Sequence, residues 1–181
     1  AGLNHNTASV EVRERLAVPD RRLPDVLGGL LENEAVQECV LVSTCNRTEL
    51  YAALDETPED FLAAALGRLG DLPLEELLPH LYVHEGVDAV RHLFRVACGL
   101  DSMVLGENQI LAQVRGAYEI ALEASATGTL TNRLFEMALA TGKRVRTETG
   151  ISRGAVSVGS VAVELAGSIF GDLSGRRVLL L

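Results

Sequence analysis

A cysteine that stands where an apolar run gives way to polar side chains can act as a nucleophile. Cys45 stands in such a place: Cys39-Val40-Leu41-Val42 precedes it, and Asn46, Arg47, Thr48 and Glu49 follow. The reactive form of this side chain is the thiolate. Arg47 can hold an anion or help keep the sulfur ionised. The plainer alternative is a small residue ending a strand, with Arg47 in a surface ion pair. Lone cysteine motifs transfer poorly between families.

A second polar stretch, Gly99-Leu100-Asp101-Ser102-Met103-Val104-Leu105-Gly106-Glu107-Asn108-Gln109, joins two helical patterns. Asp101 or Ser102 can cap a helix there, and Glu107 suits a first turn, where the helix dipole favours an acid. His92 lies on a helix expected from about Val87. Its wheel puts Val90, Leu93, Phe94 and Ala97 on the buried stripe and His92 roughly opposite, beside Asp88 and Arg95. That place suits a surface or a cleft. A neutral imidazole near a thiol can take its proton or return one to a leaving oxygen. His84 and His5 compete with His92 for that role.

These groups need a scaffold. The chain has 181 residues, 48% of them hydrophobic, enough to bury a core of Leu, Val and Ala. No apolar stretch approaches the roughly 20 residues needed to span a bilayer, and no signal peptide is visible. The three cysteines, Cys39, Cys45 and Cys98, show no metal-ligand spacing and read as free thiols in a reducing cytoplasm. A formal net charge of -9 gives no footprint for DNA. The best local basic cluster is Lys143-Arg144-Val145-Arg146, helped by Arg133 and Arg153; its alternative is a solvated helix face.

The pattern predicts an α+β fold: a small sheet with packed helices, followed by a helical bundle. Three regions are expected. Residues 1–84 alternate helical patterns (Glu11 to Leu16, Leu23 to Leu31, Pro58 to Leu69) with strands (Val36 to Ser43, Glu49 to Leu54, and a short Leu81-Tyr82-Val83). This order suggests helices on one side of the sheet. Residues 85–172 are helical, with a stripe from Ile110 to Leu122, a helix from Leu130 to Val145, and an apolar helix from Ala155 to Phe170 expected to be buried between others. Residues 173–181 end in Val178-Leu179-Leu180-Leu181, which reads as the first strand of a parallel sheet. The chain therefore reads as a fragment.

Four segments in order resemble the glutamyl-tRNA reductase family: Gly2-Leu3-Asn4-His5 with Val12-Arg13-Glu14-Arg15, Ser43 to Tyr51, Gly99 to Gln109 with Gln113, and Lys143 to Thr149. The resemblance implies that Cys45 attacks the ester of glutamyl-tRNA to give a thioester. NADPH then reduces the thioester to glutamate-1-semialdehyde, for tetrapyrrole synthesis. It also implies that Arg47 grips a carboxylate of the glutamyl group. Thr44, Asn46, Ser102, Glu107, Asn108, Gln109 and Gln113 match the substrate pocket, and His92 matches a histidine important for activity. Asn108 departs from the proline expected after Glu107. The family's nucleotide-binding domain would begin at Val178 to Leu181, so no cofactor-binding residue is expected in this chain, and the reduction should not be completed by it alone. The homodimerisation region should also lie outside it. Two other classes remain: a module that binds charged tRNA or a protein without catalysis, and a general thiol esterase.

Overall fold

The computed structural model describes residues 1–55, 60–151 and 158–177. Three strands, β1 (Gly2–Asn4), β2 (Val36–Ser43) and β3 (Arg47–Leu54), form an antiparallel sheet in the order β1-β3-β2. Eight α-helices are described: α1 (Val10–Leu16), α2 (Leu23–Leu31), α3 (Phe61–Gly70), α4 (Leu74–Leu77), α5 (Gly86–Ala97), α6 (Gln109–Glu123), α7 (Thr129–Glu148) and α8 (Val158–Phe170). Leu81 to Val83 contributes only a bridge, Gly2 to Tyr82.

Helices cover both faces of the sheet, not one. Cys39, Val40, Leu41 and Val42 are all fully buried, which an alternating strand permits only when both faces are covered. Odd residues of β3 face one layer. Glu49 meets His92 of α5, and Tyr51 packs edge-on against Phe135 of α7, ring centroids 5.6 Å apart. Even residues face the other layer, where the Thr48 hydroxyl donates to the Leu16 carbonyl at the end of α1 (3.4 Å). One continuous core runs from Leu3 to Ala138 and draws on both layers. The missed layer has a simple cause. The apolar run of β2 reads the same whether one helix layer or two enclose it.

The helices α5, α6 and α7 form the expected bundle. At Gly142 a Cβ would lie 2.7 Å from the Ala97 carbonyl, so α7 crosses α5 at backbone contact. On α5 the buried residues are Leu93, Val96 and Ala97. Val90, expected on that stripe, is 41% exposed. The buried face centres on Leu93, Val96 and Ala97, and Phe94 packs half-buried at its edge. On α8 the large apolar side chains Val163, Leu165, Ile169 and Phe170 are exposed. The expectation of a helix buried between others is therefore not met within these residues. An apolar sequence specifies a need for cover, not its source. The strand expected at Val178 to Leu181 lies outside the described residues, as do Pro58 and Glu59 at the expected start of α3.

One side chain joins the sheet to the bundle. Glu38 of β2 accepts from the backbone N–H groups of Leu130 (3.1 Å) and Thr131 (2.6 Å), and from the Thr131 hydroxyl (2.6 Å). It caps α7 from another element, since the N-cap residue Gly128 has no side chain to do so. Burial pushes the Glu38 carboxyl up, but the bonds from Thr131 and Leu130 outweigh it and hold it below its ordinary value. Its contribution to stability is complete above the unfolded carboxylate pKa and fades as pH falls through the folded one. Glu38→Ala should lower stability by about 1 kcal/mol near neutrality, the worth of a helix cap. The gap from wild type should narrow in acid, as read from melting curves across pH.

Candidate active site

The β2–β3 hairpin turns through two residues, Cys45 and Asn46. The Thr44 N–H donates to the Arg47 carbonyl (2.8 Å) and closes the turn. The Thr44 hydroxyl oxygen accepts from the N–H groups of Asn46 and Arg47, both at 3.2 Å. A threonine before a turn holds the backbone in this way. From α1, Arg13 donates through Nε to the Cys45 carbonyl (3.2 Å) and through a terminal nitrogen to the Ala8 carbonyl (2.7 Å). The tip is thus pinned on both sides while the Cys45 side chain stays exposed. Cys39 and Cys98 are buried. Burial pushes the Cys39 thiol up to about 11 and raises that of Cys98 as well, against the opposing charge of Arg146.

Behind the tip lies an ionic cluster. Arg47, 1% exposed, donates to Glu49 Oε1 (2.6 Å), Asp101 Oδ2 (3.1 Å) and the Asp101 carbonyl (2.5 Å). Glu49, 2% exposed, also receives Nε2 of His92 (2.9 Å), the Tyr51 hydroxyl (2.5 Å) and the Tyr82 hydroxyl. Asn4, at the end of β1, donates to Asp101 Oδ2 (3.1 Å). Burial alone would push the Glu49 carboxyl up. The His92 bond and the Arg47 charge outweigh it and bring it down to about 2. Ligand atoms of Glu49, His92 and Asp101 lie within 4.8 Å of one another. The guanidinium already bridges the two acids, so the charge a metal ion would supply is in place.

The 99–109 stretch packs onto this cluster through Asp101. Gly106, at φ +75°, closes the loop by donating to the Gly99 carbonyl (2.9 Å). A side chain there would collide with the Ile151 backbone. Arg146 of α7 holds the far end, donating to the carbonyls of Glu107 (2.8 Å) and Asn108 (3.2 Å). So one member of the basic cluster is a brace. Arg144 pairs with Glu148 (3.1 Å), and Lys143 makes no ion pair among the described residues.

The sequence candidates fall in four places. Cys45, Thr44 and Asn46 form the tip, with Ser102 and Glu107 in the adjoining loop. Asn108 and Gln109 are exposed at the start of α6. Gln113 lines a hollow of about 350 Å³ with Ser43 and Asp20, at the root of the hairpin. Arg47 and His92 stand behind, in the Glu49 cluster. His92 also lines a second cavity, of about 170 Å³, with Tyr82 and His84. The His84 and His92 ring centroids are 4.8 Å apart. His5 lies just past β1, within the field of Arg47, Asp101, Arg13 and Glu107. Burial first, then Arg47 and Arg13, hold its imidazole below the ordinary value. Three buried polar atoms, His5 Nδ1, Ser102 Oγ and Arg146 Nε, have no hydrogen-bond partner among the described residues. Buried polar groups are normally satisfied, so such orphans mark where a polar ligand can bond. Glu49, Asp101, Asn4, Arg13 and Arg146 were not singled out from the sequence as site-forming residues. Asn4 and Arg13 stand in the first matched segment, Glu49 in the second, Asp101 reads as a helix cap and Arg146 as part of the basic cluster, so none carries a direct signal for this cluster.

This arrangement fits acyl transfer: an exposed sulfur on a fixed turn, polar groups on its rim, and a charged cluster behind. The profile of the family described as "Glutamyl-tRNAGlu reductase, N-terminal domain" matches residues 1–149. The chain is 50% identical over 186 residues to a glutamyl-tRNA reductase of Desulforudis audaxviator, covering 99% of this chain and 40% of the relative. The figure is 48% over 182 residues for that of Shouchella clausii, with the same coverage. Among solved structures, glutamyl-tRNA reductase from Methanopyrus kandleri superposes with a TM-score of 0.71 at 39% identity, covering 92% of this chain and 38% of that one. The chain thus spans about 40% of the length of the curated relatives it matches.

Two outcomes test the geometry. Iodoacetamide on the folded chain should label Cys45 first, with Cys39 and Cys98 protected until denaturant is added, as read by peptide mass mapping. Glu49→Gln should cost about 3 kcal/mol in urea unfolding, the low end for breaking a buried pair, because Asp101 still serves Arg47. The contribution of the wild-type carboxylate should be lost as pH falls from about 4.3, the unfolded value, toward the folded one.

Proposed function

The chain belongs to the glutamyl-tRNA reductase family, and from that premise we propose that it carries the acyl-transfer step of that family's reaction. The Cys45 thiolate attacks the carbonyl of the ester that joins glutamate to tRNA. A C–S bond forms, the ester C–O bond breaks, and the terminal ribose leaves as an alcohol after taking a proton. An aminoacyl ester is already activated, so an accessible thiolate needs little further help. One observation carries this reading: of the three cysteines Cys45 is the exposed one, held on a turn pinned by Thr44 and Arg13.

Arg47 takes part through Asp101. Asp101 is its outer partner, 17% exposed against 2% for Glu49. A glutamyl carboxylate arriving from the tip would replace Asp101 on the guanidinium, whose planar fork suits a carboxylate. His92 holds Glu49, and through it Arg47. Thr44, Asn46, Ser102, Glu107, Asn108, Gln109 and Gln113 line the approach. The hydride that reduces the thioester comes from NADPH in this reading. Among the described residues the sheet is wholly antiparallel and has no strand, glycine turn and helix unit to cradle a dinucleotide. No reduction step is therefore derived from these residues. No described helix is long and apolar enough to cross a membrane.

Intact-mass spectrometry after incubation with glutamyl-tRNA tests the reading. A glutamyl adduct on Cys45, absent from Cys45→Ser, is expected. Tight binding of the charged tRNA without an adduct would mark a binding module instead. An adduct formed equally well from small esters of any acyl group would mark a general thiol esterase.

A further inference from the structure

We infer that the hollow at the root of the hairpin receives the terminal adenosine of the charged tRNA. Gln113 reads the edge of its base, and the α6 backbone at Gly116 meets the face. This rests on the acyl-transfer reading above and deepens it, because the ribose of that adenosine is the leaving group.

Position comes first. The hollow is bounded by Asp20 just before α2, by Ser43 at the end of β2, and by Gln113, Gly116 and Ala117 on α6. Ser43 precedes Cys45 by two residues, so their Cα atoms lie within about 7 Å of each other. The ester carbonyl that the sulfur attacks is bonded directly to the terminal ribose. The base of that nucleoside must therefore rest within one nucleoside's length of the reacting carbon, and the hollow begins inside that reach. Gln109 and Gln113 stand one turn apart on one face of α6, and that face leads from the 99–109 loop to Gly116.

Size and chemistry come second. The hollow measures about 350 Å³. Sites for small molecules run from roughly 300 to 1,000 Å³, so a nucleoside fits. The Ser43 hydroxyl accepts from the Val18 N–H (2.9 Å) and keeps its own proton to donate. A glutamine amide pairs with both the amine and the ring nitrogen on one edge of adenine. Unpaired RNA bases are commonly read in this way. The Asp20 carboxylate would repel the glutamyl carboxylate and favours an uncharged donor such as that amine. The apolar wall is Leu23, Ala117 and Gly116. A glycine inside a helix is unfavourable beside alanine. A Cβ at Gly116 would meet nothing within 4 Å, so no packing neighbour among the described residues requires a glycine there. A flat base laid against the helix does. Arg21 and Arg22, exposed beside Asp20, carry the charge that suits the phosphate preceding the adenosine.

Three glutamyl donors test the assignment: the ribose-linked ester of adenosine, the same ester of uridine, and a nitrophenyl ester with no nucleoside. Single-turnover acylation of Cys45 is followed for wild type, Gly116→Ala and Gly116→Leu, with folding checked by thermal melts. Both substitutions enter open space, so both variants should fold. The nitrophenyl rate normalises for the reactivity of the thiol itself. Wild type should favour the adenosine ester over the uridine ester about tenfold, within what one two-bond base contact discriminates. Gly116→Leu fills the hollow and should bring that ratio to about one, with Gly116→Ala between. No transfer from either nucleoside ester, equal wild-type rates with the two, or a wild-type ratio kept in the folded Gly116 variants would overturn the assignment and leave the acyl-transfer reading standing. Wild type acylated by none of the three donors, nor by glutamyl-tRNA, would overturn both.

Discussion

The Glu49 carboxylate is the interaction on which the rest of the molecule turns. It gathers donors from β3 itself (Arg47 and Tyr51), from the segment before α5 (Tyr82) and from α5 (His92). Through Arg47 it reaches Asp101, and through Asp101 the end of β1. A buried charge must be met by other charges and donors, or its desolvation goes uncompensated. Strand, loop and helix can satisfy this one only if all three stand where they do. Such a cluster adds little net stability over an apolar filling of the same shape. Its effect is to fix the relative placement of the hairpin and the 99–109 loop.

That placement divides three chemically identical thiols into different classes. Cys39 lies in the middle of β2, where burial disfavours the thiolate. Cys98 closes α5 under similar constraint. Cys45 sits on a turn whose backbone is held by the Thr44 hydroxyl and by Arg13, leaving the sulfur in the open. The rigidity lies in the main chain and the freedom in the side chain, so the sulfur is accessible at a fixed position.

The strongly patterned elements were legible before any coordinates. Leu23–Leu31 and Val36–Ser43 match to the residue, because a helical stripe and an apolar run bounded by turn residues each have one reading. The position of Cys45 at the end of β2 was legible for the same reason. The Glu49 cluster was not. An acid inside a strand reads as a solvent-facing alternate, and its partners His92 and Tyr82 lie 43 and 33 residues away. The second helix layer was hidden because burial on both faces leaves no alternation to count. On α5 only the edge of the stripe differs, with Val96 buried and Val90 exposed, since both are equally apolar and only packing chooses between them. His5 stood as one of three histidines of equal standing. Its unpartnered nitrogen is a property of the folded surroundings.

Arg146 grips α6's leading segment by peptide oxygens alone. Every amino acid offers such an oxygen, so the clasp is blind to what hangs from the chain at 107 and 108. Asparagine can stand at 108 in place of an imino acid without loosening it. The contour of that stretch is thereby held through its main chain, whichever side chains stand at 107 and 108.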